Sequence, residues 1–224
     1  MPVWPNASLL RWAQPVFWAV VLGFLALLPF SRASTTTRRL AMLVAMAWAF
    51  VPGAWSPTWW FGLAFQLPSW TTVLLCFAGC VAAWRPAVAF DPAATAKRAA
   101  SGWSTGPSTA TSLGILTWLA LPLGIVLLLD MFILLPLAVY RWGFGPLALA
   151  VMLALVTLVW VMARGAANRR EAALVLMALA LFVVTRLPTG NVFDAVIDPW
   201  LWLVLLAGAV RQVVNAMRSR STRG

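Results

Sequence analysis

The sequence predicts an all-α fold, a polytopic transmembrane helix bundle of about seven spans that forms one integral membrane domain over residues 1–224. Of the 224 residues, 63% are hydrophobic and 9% are charged, whereas a soluble domain is about 45–50% apolar and about 25% charged. The hydrophobic residues stand in continuous runs, with the basic residues between them. A soluble core would not bury so much apolar surface, so the composition favours lipid as the solvent.

Seven apolar runs approach the length of about 20 residues that a helix needs to cross the hydrocarbon. They cover residues 12–30, 40–55, 69–84, 112–130, 145–163, 172–186 and 199–217. The first run lacks the basic n-region and the clear cleavage site of a signal peptide, so we expect it to remain as a span. Six spans are an alternative. The least regular stretch, 112–140, predicts either one kinked crossing or a crossing with a buried return segment.

The lysines and arginines predict the orientation of the bundle. Thirteen of the sixteen lie in the segments 31–39, 85–111 and 164–171 and in the tail from Arg211. Only Arg11, Arg141 and Arg186 lie in the alternate segments. Because cytoplasmic loops carry the excess of basic residues, the N-terminus is expected outside and the C-terminus in the cytoplasm. The predicted location is a bacterial inner membrane, with membrane lipids as neighbours.

Two connections have distinctive compositions. Residues 53–68 carry no charge and are rich in tryptophan, which predicts an external loop or an interfacial helix. Residues 85–111 are rich in Ala, Ser, Thr, Gly and Pro, which predicts a flexible cytoplasmic loop. A docking loop for another protein is the alternative for that segment.

Residue types exclude several kinds of chemistry. The chain has no histidine, which removes imidazole ligands and the commonest general base. No motif indicates an enzyme or a cofactor, so no catalytic residue and no cofactor is expected. Nucleic-acid binding is not expected either, because the positive-inside effect accounts for the net charge of +11.

Cys76 and Cys80 are spaced i, i+4 and share a helical face. Packing as small apolar side chains is the favoured interpretation. A soft metal or a redox pair is the alternative, although the spacing makes a disulfide between them difficult.

Small residues recur at helical spacing in the first two runs, which predicts close helix packing. The residues are Ala19, Gly23, Ala41, Ala45 and Ala49. Packing within the chain is favoured over contact with a second subunit.

The stretch RLPTGNVFDAVIDPWLW, residues 186–202, concentrates scarce charges. Leu-Pro-Thr-Gly-Asn reads as a turn, Asn191 or Asp194 is expected to begin a short helix, and Asp198 before Pro199 predicts the N-cap of the last span.

The predicted topology brings several polar residues to the outer face: Asp130, Arg141, Arg186, Asp194 and Asp198. An ion-pair cluster that clamps the helix ends is one interpretation, since polar groups at that depth need partners. The other is a ligand pocket, with aromatic walls from Trp59, Trp60, Trp70, Trp142 and Trp200.

Three classes of function fit these patterns. The first is a non-catalytic membrane subunit or assembly partner of a larger envelope complex, which would have other membrane subunits as partners. The second is a solute transporter or the substrate-binding membrane component of an uptake system, for an amphipathic or vitamin-like small molecule bound from outside. The third is an enzyme acting on lipid-linked substrates through the aspartates and arginines.

Overall fold

The computed structural model describes residues 6–31, 33–84, 114–134, 136, 138–163 and 166–221. Across these residues the chain forms ten α-helices and one 3₁₀ turn, without a strand. The α-helices are α1 (Ala7–Leu27), α2 (Thr35–Trp48), α3 (Pro57–Phe65), α4 (Trp70–Trp84), α5 (Ile115–Met131), α6 (Val139–Trp142), α7 (Pro146–Met162), α8 (Ala166–Thr185), α9 (Val192–Val196) and α10 (Pro199–Ser221). The prediction of an all-α fold is confirmed.

Seven of these helices occupy the positions of the seven apolar runs, namely α1, α2, α4, α5, α7, α8 and α10. Among the described helices, α1 alone has both the length and the apolar composition to cross a membrane by itself. Three shorter segments, Trp70–Trp84, Thr117–Met131 and Pro146–Met162, are also apolar. The structure therefore has one clear candidate span, and seven crossings stay a prediction.

The N-terminal helices form one packing unit, in which α1 lies against both α2 and α4. Asn6 caps α1 by accepting a hydrogen bond from the backbone N–H of Ser8. A Cβ atom on Gly23 would lie 2.7 Å from Met46, so the missing side chain permits the close approach of α1 and α2. Ala19 and Ala49 are buried, while Ala41 and Ala45 are half-buried.

The C-terminal helices pack around α8, which contacts α7, α9 and α4. Helix α4 thereby joins the two halves of the chain. Helix α10 lies against α5, where Gly124 makes room for Trp202: a Cβ atom at Gly124 would lie 2.2 Å from the indole ring. The indole N–H of Trp202 donates to the carbonyl of Leu121 at 3.1 Å.

Within the described part of the stretch 112–140, residues Ile115–Met131 form α5, with Pro122 inside it. The chain leaves the helix at Phe132 and passes Ile133, which has a positive φ of 58°, before α6 begins. Among the described residues, one long helix therefore covers Ile115–Met131, and a short helix begins at Val139.

Residues 53–68 contain a 3₁₀ turn, Gly53–Trp55, and helix α3. Ser56 caps α3 and Pro57 occupies its first turn, as helix N-termini favour. The interfacial position of this helix stays a prediction. The predicted flexible loop, residues 85–111, lies outside the described residues.

Candidate functional site

Residues 187–198, here called the inward segment, fold back between the helices and are almost entirely buried. Asn191 is fully buried and caps α9, accepting from the backbone N–H of Phe193 at 2.9 Å. Its amide nitrogen donates to the carbonyl of Tyr140 at 2.8 Å. A Cβ atom on Gly143 would lie 1.9 Å from the Asn191 side-chain oxygen, so glycine at this position permits the contact. The predicted short helix after Asn191 is confirmed.

A group of hydrogen-bonded side chains, the Tyr140 cluster, consists of Asp130, Tyr140, Thr189 and Asp194. The Tyr140 hydroxyl donates to Asp194 Oδ2 at 2.6 Å, and the Thr189 hydroxyl donates to the same oxygen. The backbone N–H of Tyr140 donates to Asp130 Oδ2 at 2.7 Å. One tyrosine thus links two aspartates from distant parts of the chain.

Burial governs protonation in this cluster. Desolvation raises the pKa of the Asp194 carboxyl, while the hydrogen bonds from Thr189 and Tyr140 act in the opposite direction because they favour the charged form. Desolvation also raises the pKa of the Tyr140 phenol, and the hydrogen bond to Asp194 adds to that effect. The phenol therefore acts as a hydrogen-bond donor rather than as an anion.

Asp198 lies at the start of α10 and satisfies both of its oxygens. Oδ1 accepts from the backbone N–H of Leu201 at 2.7 Å, which confirms the predicted N-cap. Oδ2 accepts from the backbone N–H of Ser69 at 2.8 Å and from the hydroxyl of Thr72 at 2.6 Å. Since Ser69 in turn accepts from the N–H of Thr72, the starts of α4 and α10 are fastened to each other.

The arginines of the predicted outer group do not supply these partners. Arg186 places its guanidinium 5.5 Å from the centroid of the Phe182 ring, a cation–π contact, and Arg141 is exposed. Hydroxyl and backbone N–H groups take the role that the ion-pair interpretation gave to arginine. Such partners stabilise a carboxylate without requiring that a second charge be desolvated.

A cavity of about 550 Å³, here called the apolar cavity, lies between α4, α5, α7, α8 and α10. It is lined by Thr71, Leu75, Thr117, Leu119, Ala120, Leu123, Met152, Leu155, Val156, Arg170, Glu171, Leu174, Val175, Val196, Ile197, Leu201 and Leu205. The end of the inward segment contributes Val196 and Ile197 to its wall. Most of the wall is aliphatic, so the cavity suits the apolar body of a ligand.

The wall of the apolar cavity also contains a few polar residues, among them Thr71, Thr117 and Glu171. Glu171 accepts hydrogen bonds from the backbone N–H of Thr117, at 2.9 Å, and from the Thr117 hydroxyl. The hydroxyl of Thr71 is buried without a hydrogen-bond partner, and Thr71 is 6% exposed. A buried hydroxyl of this kind is costly unless a partner is supplied.

Sequence reasoning did not single out Glu171 or Thr117. The signal was present, because Glu171 is the one glutamate of the chain and stands beside an apolar run. Glu171 and Thr117 are 54 residues apart in the sequence, so the sequence alone does not indicate that they form a hydrogen bond.

A second cavity of about 490 Å³, the Arg11 cavity, lies between the start of α1, the end of α2 and the start of α3. It is lined by Arg11, Trp12, Gln14, Pro15, Ala49, Phe50, Val51, Pro52, Gly53, Ser56, Thr58 and Trp59. Of the aromatic residues assigned to an outer pocket, Trp59 is the one in this lining. Neither of the two cavities described brings the five tryptophans together.

The other four tryptophans lie elsewhere. Trp60 donates its indole N–H to the carbonyl of Ala54 at 2.9 Å, and Trp142 is exposed. Trp70 packs edge-on against Phe17 with ring centroids 4.5 Å apart, and Trp200 packs against Phe65 at 4.9 Å.

Cys76 and Cys80 are buried free thiols in α4. Each belongs to an apolar cluster, Cys76 with Trp18 and Val21, and Cys80 with Leu27 and Met42. Within the described residues, no group of three potential metal ligands comes together. The local surroundings are those of packed apolar side chains.

No family model, curated protein or solved structure matches this chain. The geometry alone thus carries the functional argument.

Proposed function

We propose that this chain is a multi-pass protein of the bacterial inner membrane that binds an amphipathic small molecule in the apolar cavity. The observation that carries the proposal is a cavity of about 550 Å³ whose largely aliphatic wall includes the Glu171 carboxylate, hydrogen-bonded to Thr117. A ligand with an apolar body and one polar group fits a wall of this composition.

Membrane placement is supported by the apolar side chains that face outward. Along one face of α7, Leu147, Val151 and Leu158 are 76%, 55% and 58% exposed. In water such a face would expose a large apolar patch, whereas lipid chains solvate it at no cost. Together with the placement of the arginines, this favours seven crossings with the N-terminus outside.

The topology is tested with single cysteines at exposed positions, in a background where Cys76 and Cys80 are alanine. An impermeant maleimide applied to whole cells is expected to label Ala54→Cys and Ala138→Cys. The same reagent is expected to miss Thr36→Cys, which we place inside. Labelling of Thr36→Cys before the cells are broken would contradict the orientation.

The rim of the apolar cavity supports entry from the bilayer. Three of the lining residues, Leu75, Leu119 and Leu155, are also exposed, by 44%, 45% and 39%. They lie within α4, α5 and α7, so in the proposed topology the opening faces the hydrocarbon. Val196 and Ile197 of the inward segment form part of the wall. The ligand class that fits is a lipid-like amphipath, whose polar group meets Thr117 and Glu171.

Two matched variants test occupancy of the apolar cavity. Ala120→Phe places a ring in the cavity, whereas Ala150→Phe adds the same ring on the exposed face of α7. Small molecules and lipids that stay with each purified protein are extracted and identified by mass spectrometry. We expect a species retained at about one per chain by wild type and Ala150→Phe, and lost from Ala120→Phe. Equal retention by both variants would contradict the site.

A second candidate function, a membrane subunit of an envelope complex, is favoured by an exposed apolar tip at residues 131–134. Ile133 is 89% exposed and has a positive φ, a strained conformation for a β-branched residue. An exposed apolar side chain in such a conformation fits a contact surface. If this function is correct, a partner that co-purifies in mild detergent is lost with Ile133→Asp and kept with Leu147→Asp.

A further inference from the structure

Among the described residues that line the Arg11 cavity, Arg11 is the one charged residue. Arg11 lies in the second turn of α1 and is exposed. Among the described residues that line this cavity, none is acidic. Asp194 and Asp198, by contrast, are engaged with hydroxyl and backbone N–H groups elsewhere in the bundle. Within the described part of the chain no carboxylate meets the guanidinium in this cavity, so an anion from outside the chain can bind it.

The remaining wall combines hydrogen-bonding and apolar surfaces. Gln14 and Arg11 belong to the same helix, and Gln14 donates to the carbonyl of Thr58 at 3.4 Å. The exposed rings of Trp12, Phe50 and Trp59 provide apolar surface beside the guanidinium. A cation next to aromatic rings suits a molecule that has an anionic head and an apolar body.

The depth of Arg11 points to the source of the anion. Arg11 lies four residues after the start of α1 at Ala7, which corresponds to about 6 Å along the helix. At such a depth an arginine side chain extends to the level of the lipid headgroups. Guanidinium groups bind phosphate oxygens in a bidentate geometry.

We propose that the Arg11 cavity binds the phosphate of an anionic phospholipid, with Arg11 as the phosphate ligand. A zwitterionic lipid is a poorer match, because its ammonium group would meet no carboxylate in this lining. The lipid as the source of the anion rests on the proposed crossing of α1, and placing the site in the outward-facing leaflet rests on the proposed orientation.

The experiment uses the full chain, purified in mild detergent and titrated with phosphatidylglycerol and with phosphatidylethanolamine, and native mass spectrometry counts the bound lipids. We expect wild type to bind one phosphatidylglycerol in preference to phosphatidylethanolamine. Arg11→Gln is expected to weaken phosphatidylglycerol binding about tenfold and to remove the preference, because a charge-assisted hydrogen bond is lost. Arg11→Lys, which keeps the charge, retains the preference at lower affinity.

Arg141→Gln is the matched control, since Arg141 is exposed and does not line this cavity. It is expected to bind phosphatidylglycerol as wild type does. Equal weakening by Arg11→Gln and Arg141→Gln would overturn the proposal, as would equal affinity of wild type for the two lipids. Competition by inorganic phosphate would overturn the lipid as the source of the anion. Because detergent solution has no sidedness, a wrong topology leaves these results unchanged.

Discussion

At the scale of single residues, Asp194 links protonation to stability. Its carboxyl has an ordinary pKa of 3.8, and burial raises that pKa in the folded chain. A group with a raised pKa binds its proton more tightly in the folded than in the unfolded state. The free energy of unfolding therefore falls as the pH rises from the ordinary pKa through the folded pKa, and the protein is more stable on the acid side of that window.

Asp194→Asn is expected to flatten this part of the pH dependence, since the amide does not titrate. Each unit of pKa shift contributes about 1.4 kcal/mol. The chain has no histidine and only five acidic residues, so few other groups titrate in the same window. Thermal unfolding of wild type and variant in detergent, at a series of pH values, measures the effect. An unchanged slope in the variant would show that the dependence arises at another carboxyl.

Asp198→Ala is expected to destabilise the fold by about 2–4 kcal/mol, because it removes a helix cap and two further hydrogen bonds. The stability of Asp198→Asn is expected to lie between those of wild type and Asp198→Ala. The amide oxygen still accepts from the Leu201 N–H, but the amide NH₂ group would face the Ser69 N–H and the Thr72 hydroxyl, which are donors themselves. The midpoints of thermal unfolding rank the three proteins. A wild-type midpoint for Asp198→Ala would mean that the starts of α4 and α10 are not held together there.

Contacts between residues that are close in the sequence could be predicted, whereas contacts between residues far apart in the sequence could not. The N-cap role of Asp198 depends on a group three residues away, Leu201, and was predicted. Its bond to Ser69 joins residues 129 apart in the chain, and the bond of Asp194 to Tyr140 joins residues 54 apart. Those partners depend on how the helices pack, which a single sequence does not state.

At the scale of the elements, continuous apolar runs located the helices but not their ends. Helix α2 begins at Thr35 rather than near residue 40, because Ser34 accepts from the backbone N–H of Thr37 and caps a polar first turn. Helix α10 runs to Ser221, but Arg211 interrupts the predicted apolar run 199–217 after Val210, about 17 Å along the helix axis from Pro199. That length is short of a full crossing, and the buried inward segment precedes it.

Gly124→Ala tests the contact between α5 and α10. A Cβ atom there would lie 2.2 Å from the Trp202 indole, which is rigid and also bonded to Leu121. We expect a loss of about 1–3 kcal/mol of stability from overpacking. Gly23→Ala is the matched control, since its neighbour is the flexible Met46 side chain, and it should cost less. The thermal midpoints of the two variants give the comparison, and an equal or larger cost at Gly23 would contradict it.

At the scale of the whole molecule, several of the apolar helices are short compared with the thickness of a bilayer. Helices α4, α5 and α7 have 15, 17 and 17 residues, so they span about 22–26 Å, against about 30 Å for typical hydrocarbon. If these helices cross the membrane, as we propose, the bilayer thins around the protein or polar side chains extend to the headgroups.

The unfolding temperature of the reconstituted protein is therefore expected to depend on the thickness of the bilayer. Reconstituted in dimyristoyl-phosphatidylcholine, the protein is expected to unfold at a higher temperature than in dierucoyl-phosphatidylcholine, whose longer chains would cover the unpaired backbone groups at the ends of α4 and α7. Mismatch costs a fraction of a kcal/mol per Å, so several Å across several helices amount to about 2–5 kcal/mol. If these helices belonged to a soluble domain, the unfolding temperature would not depend on the length of the lipid chains. Highest stability in the long-chain lipid would contradict the crossing of these short helices, and with it the bilayer opening of the apolar cavity.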